Sequence, residues 1–371
     1  MSKTSSTPAV SEVVLGRLEE GSKPLKRSDD NRVGLVVEGG GMRGVVTAGM
    51  MLGLEQLGMR DCFDFVVGTS AGAIASAFFA TGKGTEGSVL YYEELRSPPF
   101  LDKRRLIRLR PALDLDYLVD TACAQRGLDL AAVAACPISV YATVTPVDPD
   151  STTTVVSMTG GPKRVAEIMK ATSSLPVLAG NSKVVDGEEY VDGGLTEQVP
   201  WRSGMNLGAT HLLVLPSKPL RGDIEQGPTG FVERHTIGRI VATMHGAHVA
   251  ALLDSLPGRA TLESWSLRSI ADGSGCALDS ELQPWRGRLE VVDLPPDIEL
   301  PRRLEDRRPV LVDAMVTGTQ ALLNHFGLKT ISAEQRIVLN HPEVQVSQYR
   351  SEGLADIVIA HYAETRHTQD N

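Results

Sequence analysis

The chain has 371 residues, 42% of them hydrophobic and 22% charged, with a formal net charge of −9. That is the balance of a globular protein, long enough for one large domain or two ordinary ones at about 150 residues each. An acidic chain lacks the basic surface that neutralises phosphates, which excludes general nucleic-acid binding.

Residues 1–31 are polar, rich in Ser and Lys, and lack the apolar core of a signal peptide; they read as a disordered arm. No apolar run approaches the roughly 20 residues that span a bilayer. Cys62, Cys123, Cys136 and Cys276 lie far apart without a CxxC spacing, which disfavours a zinc site or a disulfide framework. The expectation is a cytoplasmic protein with no metal or cofactor. Peripheral contact with a membrane stays open, and the oligomeric state is not addressed.

Val33 to Val37 is a short apolar run that suits a buried strand. It enters the glycine turn Gly39-Gly40-Gly41-Met42-Arg43-Gly44, and Val45 to Leu57 then shows helical spacing, ended by Gly58. The same unit recurs at once. Phe63 to Val67 is a strand, Gly68 to Gly72 a tight turn, and Ala73 to Ala80 a small-residue helix. Two such units in succession predict a parallel α/β sheet with its chemistry at the strand C-terminal ends.

Residues 85–135 read as mostly helical and carry the basic cluster Lys103, Arg104, Arg105, Arg108 and Arg110. A solvated helix face is favoured for that cluster over contact with anionic headgroups. Strands are predicted over 138–145 and 153–157, a helix over 161–171, a strand ending at Tyr190-Val191, and another over 211–215. Residues 216–230 form a Pro/Gly-rich loop. Beyond it come a helix over 236–253 with Ile237, Ile240, Val241, Met244 and Ala251 on one face, a strand over 289–293, and helices over 309–326 and 352–364.

Ser70 stands at the centre of Gly68-Thr69-Ser70-Ala71-Gly72, between a strand and a helix. This is the setting in which GxSxG lifts a nucleophilic serine clear of the backbone. The serine needs a base. None of the eight histidines stands clearly in a turn at a strand's C-terminal end, and His248 reads as a core residue. Asp192 does stand in such a turn, opening Asp192-Gly193-Gly194, although an ordinary Asp-Gly turn explains it as well. The run Gly39, Gly40, Gly41, Arg43, Gly44 offers backbone N–H groups for a tetrahedral oxyanion, with Arg43 steadying the loop or adding positive potential. It also fits GxGxxG, with Asp61 or Asp64 as the acidic partner, so a nucleotide-binding protein is a second reading. A serine esterase with His211, His245 or His248 as base is a third.

Taken together and in order, these elements resemble the patatin-like phospholipase family over about residues 33–215. The glycine loop, the Ser70 elbow with Gly68 and Gly72, and the Asp192 turn with Gly193 and Gly194 are its signature. Ala171-Thr172-Ser173-Ser174-Leu175-Pro176 is similar to a softer family element. The loop and elbow look most like those of bacterial intracellular members. The resemblance implies a three-layer α/β/α fold with a mostly parallel central sheet. It implies a Ser70–Asp192 dyad without histidine, acting through an acyl-enzyme on phospholipid, lysophospholipid or other lipid esters. Gln198 departs from the asparagine many members carry before the proline. The predicted organisation is an arm over 1–31, a catalytic domain over 32–216, and a mainly helical extension over 217–371, of unassigned role, packed on it.

Overall fold

The computed structural model describes residues 8–108, 110–148, 152–220, 231–271 and 285–327. Eight strands form one sheet: β1 (Val33–Val37), β2 (Phe65–Thr69), β3 (Ser139–Pro146), β4 (Thr154–Ser157), β5 (Lys183–Val185), β6 (Glu188–Asp192), β7 (His211–Leu215) and β8 (Arg288–Val291). The order is β5-β6-β3-β2-β1-β7-β8, with β4 also beside β3. The run from β3 to β8 is parallel, and β4, β5 and β6 join antiparallel.

Helices cover both faces. In chain order they are α1 (Val10–Glu19), α2 (Gly44–Gln56), α3 (Ala71–Ala80), α4 (Gly84–Glu93), α5 (Arg104–Ile107), α6 (Cys123–Gln125), α7 (Leu130–Ala134), α8 (Pro162–Thr172), α9 (Trp201–Asn206), α10 (Phe231–Ala271) and α11 (Arg308–His325). β1 and β7 are buried at every position, as strands covered on both sides must be. Their side chains alternate between two cores. Leu35, Val37, Leu213 and Leu215 pack with α2, α3 and α11; Val36, Leu212 and Val214 pack with Trp201 of α9 and Leu267 of α10. This is the α/β/α arrangement with a mostly parallel sheet that the sequence predicts.

Several expectations are corrected. Residues 8–31 are not a disordered arm. Val10 and Val14 of α1 are fully buried, and Arg17, 2% exposed, donates to Asp29, Asp64 and the carbonyls of Cys62 and Asn31. A polar composition conceals this because the polar groups bond to one another across the chain. β2 begins and ends two residues later than predicted, since its ladder with β3 continues to Thr69↔Thr143. The strand β5 and helices α1 and α9 have no counterpart among the elements predicted from the sequence. α10 runs past Pro257 but breaks at Gly246, where φ is 87°. The buried positions are Val241, His245 and Val249, four residues apart across the break, so of the predicted face Val241 is buried while Met244 and Ala251 are exposed. The helix expected over 352–364 lies outside the described residues.

A boundary after residue 216 cuts through one structure. β8 extends the parallel sheet beside β7. α11 crosses α2 at backbone distance, with Thr319 Oγ1 donating to the Gly49 carbonyl at 2.8 Å. A Cβ on Gly49 would strike the Met315 carbonyl, and one on Gly318 the Val46 carbonyl.

Candidate active site

Chain reversal to either side of β1 opens a crevice at the strand C-terminal ends, where ligands bind in open α/β sheets. The glycine loop leaves β1 there and the Ser70 turn leaves β2. Ser70 has φ 53° and ψ −124°, a conformation that a non-glycine residue holds only when its surroundings impose it. The surroundings do so tightly. A Cβ on Gly68 would lie 2.6 Å from the Ala73 nitrogen, and one on Gly72 would lie 2.6 Å from the Val37 carbonyl oxygen. The backbone N–H of Ser70 donates to Thr172 Oγ1 at 2.9 Å, and Thr172 Oγ1 donates to the Thr143 carbonyl at 2.7 Å.

Ser70 Oγ donates to Asp192 Oδ2 at 2.7 Å. The other carboxylate oxygen, Oδ1, accepts the Gly194 N–H at 2.7 Å. The main chain of Asp192 is held at both ends, its N–H on the Ser174 carbonyl at 3.1 Å and its carbonyl on Thr145 Oγ1 at 2.8 Å. Gly193 is required because a side chain there would strike the Thr143 carbonyl. Asp192 is 4% exposed. Burial pushes its carboxyl up to about 6, against the opposing pull of the Ser70 hydroxyl, the Gly194 N–H and the Arg303 charge.

The glycine loop divides by what its amides do. Gly39 N–H donates to the Gln198 carbonyl at 3.1 Å and Met42 N–H to the Arg303 carbonyl at 3.1 Å. Among the described residues, the N–H groups of Gly40 and Gly41 have no acceptor. Gly39 is therefore committed to holding the loop against β2, where its missing Cβ leaves room for the Thr69 carbonyl. Gly41 has φ 60° and passes directly under Arg303. Arg43 folds back against Gly40, and Gly44 sits against Tyr91 and Ala71, where a side chain would not fit. Gln198 acts here through its backbone, which a change from asparagine does not alter.

The cleft around Ser70 and Asp192 is narrow, about 50 Å³, and is walled by Leu113, Leu175, Leu178, Leu256 and Leu304 with Ser173 and Arg303. Leu256, Arg303 and Leu304 come from beyond residue 216, and no sequence signal marked them. Thr172 and Ser173 lay within a noted motif, but the hydrogen bonds of Thr172 depend on strands distant in sequence.

No histidine lines this cleft among the described residues. His211 begins β7, at the opposite end of the sheet, bonded to Thr210 Oγ1 and the Pro8 carbonyl. His245 is buried in α10 and His248 is half-buried in the same helix. Asp61 pairs with Lys23 and Arg60, and Asp64 with Arg17 and Arg27, so both have structural partners in place of a ribose. Among the described residues no cluster of His, Cys, Asp or Glu is arranged to hold a metal ion.

The fold is thus an α/β one with a serine turn, a glycine loop and an aspartate turn meeting at one sheet end. Residues 35–205 match the model of the patatin-like phospholipase family, a family of lipid ester hydrolases. It is 29% identical over 200 residues to the uncharacterized protein YjjU of Escherichia coli (strain K12), covering 53% of this chain and 54% of that one. It is 42% identical over 69 residues to the uncharacterized protein YqhO of Bacillus subtilis (strain 168), covering 19% of this chain and 23% of that one. The chain thus spans about half the length of the first and a quarter of the second. VipD from Legionella pneumophila overlaps 88% of this chain and 94% of its own at 10% identity, with a TM-score of 0.28, too low to carry any argument.

Proposed function

We propose that this protein is a serine acyl hydrolase that cleaves carboxylic esters of lipids, phospholipid or lysophospholipid, through a Ser70–Asp192 dyad. The observation that carries the reading is the 2.7 Å hydrogen bond from Ser70 Oγ to Asp192 Oδ2, made by a serine in strained backbone geometry. Asp192 takes the hydroxyl proton as Ser70 Oγ attacks the ester carbonyl. The carbonyl π electrons move to oxygen, and the oxyanion meets the free Gly40 and Gly41 N–H groups, with Gly39 and Arg43 shaping the loop. Collapse breaks the C–O bond, and Asp192 returns its proton to the departing alkoxide. An acyl ester of Ser70 is left. Water then gives a proton to Asp192 and attacks that ester, and collapse returns the proton to Ser70 Oγ and frees the carboxylic acid.

Several features support a lipid as substrate. The cleft wall is leucine-rich, and the family acts on lipid esters. A cleft of about 50 Å³ is far below the roughly 300 Å³ of an ordinary small-molecule pocket, so an acyl chain enters only if this wall opens. No helix among the described residues is long and apolar enough to cross a membrane. Peripheral contact fits α5, where Ile107 is 85% exposed and Arg104 and Arg108 stand beside it. Cys62, Cys123 and Cys136 are free thiols, as a cytoplasmic location requires.

The test is covalent labelling. A fluorophosphonate probe should modify Ser70, and Ser70→Ala and Asp192→Asn should abolish ester hydrolysis while remaining folded. Full hydrolysis by Ser70→Ala would sink the reading.

A further inference from the structure

Arg303 enters the catalytic cleft from outside the region the family model covers. It lies on the segment between β8 and α11, and its carbonyl accepts the Met42 N–H at 3.1 Å, directly above Gly41. Its backbone is thereby fixed to the glycine loop. Arg303 lines the same cleft as Ser70 and Asp192, and its charge is near enough to act on the Asp192 carboxylate. Neighbouring charges are otherwise occupied: Glu305 binds Arg307 and Asp306 binds Lys103. Among the described residues the Arg303 side chain has no ion pair or hydrogen bond. A second polar group points the same way. Ser173 lines this cleft, is 8% exposed, and its hydroxyl has no partner among the described residues.

The surroundings are cationic too. An open cavity of about 430 Å³ adjoins the cleft across Leu113, which lines both, and Arg105, Arg110 and Lys183 stand around it. With Asp114 and Asp116 in the same lining, the cavity has three basic residues against two acidic ones, a small positive excess on a chain of net charge −9. Asp114 and Asp116 also line the cavity, but Arg105 faces Asp114 at 3.7 Å and Lys170 binds Asp116 at 2.7 Å. A half-buried cation beside leucines, with no hydrogen bond or ion pair among the described residues, is a costly arrangement unless an anion completes it. Once Asp192 has accepted the serine proton, its compensating charge is gone as well.

We infer that Arg303, assisted by Ser173, is an anion subsite that binds a phosphate on the alcohol side of the scissile ester, with the rest of the headgroup lying toward Arg110 and Lys183. The inference rests on the acyl-hydrolase reading and adds a selectivity to it: phosphate-bearing acyl esters over neutral ones. A guanidinium suits this task because it presents several fixed donors to phosphate oxygens.

The test compares two soluble esters with the same acyl chain, 1-octanoyl lysophosphatidate and 1-octanoylglycerol, on the full chain. Wild type should have a kcat/KM at least tenfold higher for the phosphate ester. Because Arg303 also acts on Asp192, Arg303→Gln slows both esters, but it should lose at least tenfold more on the phosphate ester than on the neutral one, with unchanged Tm; Arg303→Lys should recover part of that difference. Equal loss on both esters would overturn the subsite, because the guanidinium would then serve only Asp192 or the oxyanion. So would absence of preference in wild type that hydrolyses both. Calorimetry on Ser70→Ala separates this inference from the hydrolase reading. Octanoyl lysophosphatidate should bind, and adding Arg303→Gln should weaken binding at least tenfold. That result in a protein whose wild type hydrolyses neither ester would uphold the subsite and remove the hydrolase. Displacement of the lipid by equimolar inorganic phosphate would make the site one for free phosphate and overturn the ester assignment, as would no binding at all.

Discussion

Thr172 Oγ1 stands between two backbones, accepting the N–H of Ser70 at 2.9 Å and donating to the carbonyl of Thr143 at 2.7 Å. A single hydroxyl thus ties the strained serine turn to the neighbouring strand. Thr172→Val keeps the shape and leaves the Ser70 N–H and the Thr143 carbonyl unpaired. Such losses cost about 1–3 kcal/mol for each buried group. Denaturant unfolding should show a drop of that order. Ester kinetics should show a fall in kcat larger than any rise in KM, because Ser70 is misplaced while the cleft wall is intact. Thr172→Ser should restore both.

The pH dependence of activity follows from Asp192. A general base works only when ionised, and burial raises this carboxyl to about 6. The rate of ester hydrolysis should therefore fall below about pH 6 and level off above it. A histidine base would give a limb in the same region, so the profile must be paired with a substitution. Asp192→Asn should remove the activity, and alanine at His211, His245 or His248 should leave the limb unchanged.

A second carboxyl, that of the half-buried Glu263, makes stability depend on pH. Burial, followed by the charges of Glu197 and Glu38, raises Glu263 from 4.5 to about 8. The folded state holds this proton more tightly than the unfolded chain. Its contribution is therefore fully present below about pH 4.5, declines as pH rises, and is lost above about pH 8. Glu263→Gln should leave Tm nearly unchanged at pH 4 and raise it at pH 9, measured by thermal denaturation at both. An equal shift at the two values would refute the assignment.

The α2–α11 crossing gives a packing prediction. A Cβ at position 318 would meet the Val46 carbonyl in a fixed helix backbone. Gly318→Ala should destabilise by about 1–3 kcal/mol, the usual cost of overpacking, and read out in the urea midpoint. Because α2 begins at the glycine loop, fluorophosphonate labelling of Ser70 should slow as well, even though position 318 is remote from the cleft.

Arg17 tests the ordered N-terminal segment. It is 2% exposed and bonds to two carboxylates and two carbonyls. Arg17→Met should cost about 3–5 kcal/mol, since removing one partner leaves buried charge uncompensated. A midpoint unchanged from wild type would mean that α1 adds nothing to the fold.

The sequence by itself determined the candidate catalytic motifs, the parallel α/β class and the order of its first units. Those features are local. Gly68 and Gly72 flank Ser70 because a tight turn leaves no space for side chains, and apolar runs such as Val33–Val37 mark strands buried on both faces. Tertiary structure alone decided what those motifs do together. The bond between Ser70 and Asp192 joins residues 122 positions apart, and it depends on where β2 and β6 lie around β3. The commitment of the Gly39 and Met42 amides, which leaves those of Gly40 and Gly41 without an acceptor among the described residues, depends on Gln198 and Arg303. The arm that composition marked as disordered folds because Arg17 finds its carboxylates across the chain. No local pattern encodes such partners; they exist only once the sheet has brought distant segments to one end.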